Sequence, residues 1–175
     1  MKPAGIAFAA SAAFVASIVL SSIHPWGDPR RRAQASLLEG SSAPEAVRAV
    51  LAAKCADCHS ANTHYPAYSR VAPVSWLVER DIQQGRQQLD LSQWQHYSTE
   101  TRIDLLARIG SEVRSGQMPV KQYLLLHPQA RLTSDEQQLI YEWAKSERKQ
   151  LRRQTTEQRP AQASVPATQP QGKEN

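Results

Sequence analysis

Both cysteines of this 175-residue chain fall within one pentapeptide, Cys55-Ala56-Asp57-Cys58-His59. Any thiol chemistry the protein has is confined to that stretch. A dithiol redox pair of this spacing belongs beside a β-α-β pattern, whereas the segment leading into Cys55 reads as a helix in an otherwise helical chain. A structural zinc site needs four closing ligands, usually from a second paired half, and no second cysteine pair exists. C-x-x-C-H is also the spacing at which two thiols bond to the two vinyl edges of one haem, with the adjacent histidine under the iron. The expectation is one covalently attached haem c, held by Cys55, Cys58 and His59.

Attachment of that kind takes place on the outer side of a bacterial cytoplasmic membrane, so the chain needs an export device. Ala4 to Ile23 carries no charge, and about 20 apolar residues suffice for one span, although Ala, Ser and Gly dilute the hydrophobicity. An uncleaved anchor over residues 1–23 is the favoured reading, with the following domain in the periplasm. A cleaved signal peptide, leaving a soluble periplasmic protein, is the competing one. Its usual mark is an A-x-A-like site close behind the apolar core, and the only such triplet, Ala33-Gln34-Ala35, lies too far downstream. Arg30, Arg32 and their neighbour Arg31 would by charge alone be placed in the cytoplasm, against the haem motif. The chemistry is given precedence.

Residues 24–41, with Pro25, Gly27 and Pro29, read as a linker. Residues 42–151 form one domain of roughly 110 residues. The stretch 152–175, rich in Gln, Pro, Thr and Ala, reads as a disordered tail. A formal charge of +5 and a pI near 9.5 invite a nucleic-acid reading, but the basic residues are scattered and an exported haem protein has little access to nucleic acid. A solvated basic surface, drawn to acidic redox partners or anionic lipid, is the better account.

Caps and spacing place four helices in the domain. Ser42-Ala43-Pro44-Glu45 has the form of a capping box, and Val47, Val50 and Leu51 follow at helical spacing into Cys55. Pro73 opens a second helix with Val78, Ile82, Gly85 and Leu89 on one face. A third starts near Thr99, carries Ile103, Leu106, Gly110 and Val113, and stops at Gly116. A fourth starts at the Thr133-Ser134-Asp135-Glu136 box and carries Leu139, Ile140 and Trp143. No segment alternates as a strand would, so the fold class is all-α.

An iron above His59 needs a sixth ligand or an open position. Beyond the initiator the chain has one methionine, Met118, set beside Pro119 in a turn between two helices; its thioether is the favoured ligand. A methionine filling a core gap is the plainer alternative. His24, His64, His96 and His127 compete, and a five-coordinate iron stays open as well.

The order of a helix ending in C-x-x-C-H, a Met-Pro loop and a closing helix resembles the class I cytochrome c fold. Closer strings are Cys58-His59-Ser60, Tyr65-Pro66-Ala67-Tyr68-Ser69, Ala72-Pro73-Val74-Ser75-Trp76, Gly85-Arg86, Leu91-Ser92-Gln93-Trp94, and Tyr123 to His127-Pro128. Over about Val47 to Lys145 they resemble the family of small bacterial haem-binding domain proteins. The resemblance implies a covalent haem c on Cys55, Cys58 and His59, the Met-Pro pair at Met118, an N-terminal anchor or signal, and electron transfer. Such domains also occur alongside di-haem peroxidase-type domains. Ala67 departs from the Trp usual in that string, which loosens packing near the haem.

The function expected is a membrane-tethered mono-haem cytochrome, not an enzyme, passing single electrons between periplasmic redox partners such as a di-haem peroxidase or a respiratory complex. The alternative is a haem c enzyme or sensor whose open distal site takes peroxide or a gas, with His96 or His127 as its polar group. No nucleophile-base pair or carboxylate dyad can be assembled. Trp76, Trp94 and Trp143 are expected to pack on helices or the haem edge, Tyr65 and Tyr68 to flank a haem-covering loop, and Arg70 or Arg86 to pair with propionates.

Overall fold

The computed structural model describes residues 3–163, and among them every regular element is helical. The α-helices are α1 (Pro3–Leu20), α2 (Glu45–Lys54), α3 (Ala56–His59), α4 (Val74–Gln88), α5 (Thr99–Arg114), α6 (Lys121–Leu126) and α7 (Ser134–Ala163), joined by short 3-10 turns. All-α is the class the sequence pattern predicts. The four expected helices appear as α2, α4, α5 and α7; the single turns α3 and α6 are additions.

The core forms where α5 and α7 lie against each other. Leu106, Ile109, Gly110 and Val113 of α5 face Ile140, Trp143 and Ala144 of α7, all buried. Val47 and Leu51 of α2 close the cluster, and Trp94, fully buried, stands at its centre 6.4 Å from the Trp143 ring. Burying each such large side chain contributes about 1.5–3 kcal/mol. Leu139 departs from the expected stripe. It is 36% exposed, because the buried face of α7 runs through Ile140, Trp143 and Ala144.

The two predicted capping boxes have opposite fates. At α7 the box closes in both directions: Thr133 N–H donates to Glu136 Oε2 at 2.7 Å, and Glu136 N–H to Thr133 Oγ1 at 3.2 Å. At α2 it does not form. Pro44 is the N-cap and makes no side-chain cap bond, while the Ser42 hydroxyl donates to Glu147 of α7 at 3.1 Å. A buried carboxylate in need of donors outcompetes a local cap.

The stretch read as a linker is bound into the domain. Leu38 is fully buried and its N–H donates to the Leu91 carbonyl at 2.9 Å, and Ala35 exchanges two hydrogen bonds with the Asn62 side chain. The boundary drawn at Arg152 falls inside α7, which continues to Ala163. Gln, Arg and Glu propagate a helix well once a packed segment has nucleated it. Residues 164–175 of the expected tail lie outside the described residues.

Among the described residues no helix is long and apolar enough to cross a membrane. The expected anchor forms as α1, 18 residues, which at about 1.5 Å per residue fall short of a hydrocarbon core of roughly 30 Å. Its Phe8, Phe14, Val15 and Val19 are exposed. Only its C-terminal end and the next residues dock. Ser17 Oγ donates to the Ala72 carbonyl at 2.5 Å, Ala72 N–H to Ser21 Oγ at 2.9 Å, and Trp76 Nε1 to the Ile23 carbonyl at 2.8 Å. His24 Nδ1 meets Glu79 Oε1 at 2.6 Å, and Glu79 is buried within α4.

Candidate haem site

The C-x-x-C-H segment is held between two helices. Cys55 ends α2 and precedes α3, its N–H donating to the Leu51 carbonyl at 2.9 Å; Cys58 and His59 lie on α3. Against them packs α4, and the closest approach is at Gly85. A Cβ there would stand 2.5 Å from the Cys58 carbonyl oxygen and 3.2 Å from its Cβ. Only a residue without a side chain lets α4 come this near.

That approach aligns the histidine. His59 Nδ1 lies 3.0 Å from the Leu89 carbonyl, beyond the end of α4. A carbonyl can only accept, so Nδ1 carries the proton and Nε2 keeps its lone pair for a metal. The chain leaving the motif is fixed just as closely. Arg86 Nε donates to the Ser60 carbonyl at 2.8 Å and its other nitrogens to Pro29 and Thr63. Ala61 N–H donates to Ser92 Oγ at 2.9 Å. Arg86 is therefore committed to the backbone, against the expectation that it pairs with a propionate. Arg70 has no partner among the described side chains.

The thiols lack the lowered values of an activated redox pair. Burial pushes Cys55 up to about 12 and Cys58 up to about 11, with neighbouring negative charge adding to both. At neutral pH both are protonated, the reverse of the lowered values that activate a dithiol. Among the described residues no three His, Cys, Asp or Glu side chains gather as a metal cluster.

The second wall of the site comes from the chain after α5. Gly116, at φ +70°, ends that helix as predicted. The turn brings Met118, half-buried, ahead of α6, with its N–H donating to the Glu112 carbonyl at 3.3 Å. Tyr123 then donates to Asp57 Oδ2 at 2.7 Å, tying α6 to the motif itself. The Tyr123 ring stacks on His127 at 4.3 Å, and His127 Nε2 is bonded to the Tyr68 hydroxyl at 2.5 Å. The loop of Tyr65 and Tyr68, α6 and the motif are thus one connected arc. Asp57 and burial hold the Tyr123 phenol well above its ordinary range, so it remains a donor. Sequence reasoning missed both Asp57 and Tyr123; the only signal was that Asp57 lies inside the motif.

The other histidines are accounted for. His24 is bonded to Glu79, His127 to Tyr68, and His64 and His96 are exposed. Of the tryptophan expectations, Trp76 and Trp143 donate, to Ile23 and to Glu147, while the Trp94 indole N–H is buried without a partner.

These residues fit a haem. A histidine with its Nδ1 proton held and Nε2 available, two neutral thiols a turn apart, and an unburied apolar surface at Leu125 and Leu126 of the adjoining α6 match a flat apolar group with a central metal. No curated protein and no solved structure matches the chain. A family model described as a haem-binding domain matches residues 15–146, a span that contains the motif, its supporting helices and Met118. The chain belongs to the haem-binding domain family.

Proposed function

We propose that this haem-binding chain is a mono-haem c-type cytochrome, tethered to the periplasmic face of the bacterial cytoplasmic membrane, that passes single electrons between redox partners and has no catalytic activity of its own. The observation that carries the reading is the His59–Leu89 hydrogen bond on the same helical turn as two neutral thiols. It prepares one imidazole nitrogen for iron beside two sulfurs available for thioethers. Bound haem supplies the one-electron chemistry.

The residues around it have other tasks. Cys55 and Cys58 would hold the group, His59 Nε2 would be offered to its iron, and Met118, in the turn after α5, would supply a thioether as the further ligand. The arc of Asp57, Tyr123, His127 and Tyr68 ties α6 and the tyrosine loop to the motif. Leu125 and Leu126, exposed in the free fold, would lie against the haem, and its electrons pass to a protein partner such as a di-haem peroxidase or a respiratory complex. The apolar, exposed flank of α1 supports association with a bilayer, and nucleic acid has no place in this reading.

The test is to mature the chain in a host that attaches haem c and to compare it with Met118→Ala. The parent should keep its haem through acidified organic extraction and show the weak deep-red absorption of methionine sulfur on ferric iron. The variant should keep the haem, lose that band and bind carbon monoxide. Extractable haem would overturn covalent attachment; an unchanged band in the variant would overturn Met118.

A further inference from the structure

A cleft of about 540 Å³ lies where the chain leaves α1 and passes the haem motif, lined by Arg30, Arg32, Arg70, Tyr65 and Thr63 among others. Two of its three cations are held in place. Arg30 donates to the Ser69 carbonyl at 2.7 Å and stands 5.2 Å from the centre of the Tyr65 ring. Arg32 pairs with Asp90. Among the described residues Arg32 alone of the three has a carboxylate partner, and the Tyr65 hydroxyl is a buried donor without an acceptor. Such a cleft is built for an anion.

Its position says which anion. Arg70 is two residues from Ala72, the point at which Ser17 and Ser21 pin α1, and Arg30 follows the exposed Ile23 and Trp26. Val71 and Val74, beside the same point, are also exposed. An apolar helix, a rim of Trp and aliphatic side chains, and then a cluster of arginines is the order of chemistry met on crossing from acyl chains to headgroups. The cleft also lies behind the proximal histidine. Arg32 is joined to Asp90, next to the Leu89 carbonyl that binds Nδ1, whereas Nε2 is the nitrogen that would be offered to a metal.

We propose that this cleft binds the phosphate of an anionic phospholipid, with Arg30 and Arg70 as its donors. The proposal rests on the bilayer tether of the preceding section. It also resolves the arginine run's conflict with membrane topology: Arg30 and Arg32 are tied to Ser69 and Asp90 of the folded domain and serve the outer leaflet.

The experiment is flotation of the full haem-loaded chain with vesicles of phosphatidylcholine alone and with about one quarter phosphatidylglycerol, where each bound arginine is worth roughly fivefold in partitioning. The parent should prefer the anionic vesicles. The Arg30→Gln/Arg70→Gln variant should lose about tenfold or more of that preference, with unchanged binding to neutral vesicles and an unchanged haem spectrum. Lys149→Gln/Arg153→Gln, on the basic face of α7 and not among the cleft's lining residues, should retain it. An undiminished preference in the arginine variant overturns the proposal, as does equal loss in the α7 variant, which would mean diffuse charge. Loss of preference in millimolar inorganic phosphate at constant ionic strength overturns the lipid assignment in favour of free phosphate. A shifted haem spectrum reassigns the cleft to haem carboxylates. Failure to float with either vesicle breaks the tether reading itself, a distinct result.

Discussion

The His59 side of the site and the Met118 side are built to different standards. Around the motif, α4 touches the Cys58 backbone at Gly85, Leu89 holds His59, Arg86 and Ser92 hold Ser60 and Ala61, and Asp57 accepts from the His64 N–H at 2.7 Å. From Gln117 to Leu126 the described side-chain hydrogen bonds reduce to one, Tyr123 to Asp57. One side is fixed from several directions and the other is joined to the motif by a single side-chain hydrogen bond. The difference teaches that, on the proposed reading, the segment that would attach the cofactor is fixed in its absence, while the turn carrying Met118 is left able to adjust.

The comparison breaks most visibly at the thiols. Cys55→Ala/Cys58→Ala should abolish covalent haem, read as complete extraction of the pigment; retention of haem c would end the assignment of the motif. Next comes the support behind it. Gly85→Ala places a methyl against backbone that cannot move without the motif, at a cost of about 2–3 kcal/mol in denaturant unfolding. A neutral result would mean α4 does not hold the motif in solution.

Alkaline unfolding sharpens the contrast between free and loaded protein. In the haem-free chain both thiols sit above their usual 9.0, at about 12 and about 11, because burial disfavours the thiolate. The folded form holds those protons more tightly than the unfolded one. Their contribution is therefore whole below about pH 9 and is lost as pH rises toward 11 to 12. Thioethers do not titrate, so the loaded protein should lack this alkaline loss; identical pH profiles would contradict it. The smallest effect belongs to the looser wall. Tyr123→Phe should cost about 1 kcal/mol and speed carbon monoxide binding, with haem attachment untouched. A loss as large as that of Gly85→Ala would show both walls equally stiff.

The fixed wall was also the more legible in the sequence. Its residues lie within a short motif whose spacing is itself the chemistry, and α4 shows the helical stripe that ends at Gly85 and Leu89. What could not be read were partners distant in sequence. Ser42 looked like a cap until Glu147 claimed its hydroxyl, and Arg86 looked like a propionate ligand although three backbone and side-chain oxygens occupy it. Glu79, a charged residue buried in an amphipathic helix, makes sense only beside His24. Leu38 reads as linker, yet lies in the core at a φ of 55°. In each case the local pattern was outweighed by a long-range bond that no periodicity records. Met118 was singled out by scarcity rather than by pattern, and the bond from Tyr123 to Asp57, which brings its turn to the motif, by neither.

The hydrogen bonds that join Ser17, Ser21, Ile23 and His24 to Ala72, Trp76 and Glu79 turn the segment after α1 from a leash into a bracket. With α1 in a bilayer, a leashed domain would sweep a hemisphere and meet its partners at any angle. On the proposed reading, a bracketed one would carry its haem at one height and one tilt. Encounters then become a search in two dimensions, won by partners whose own redox centre stands at the same distance from the lipid.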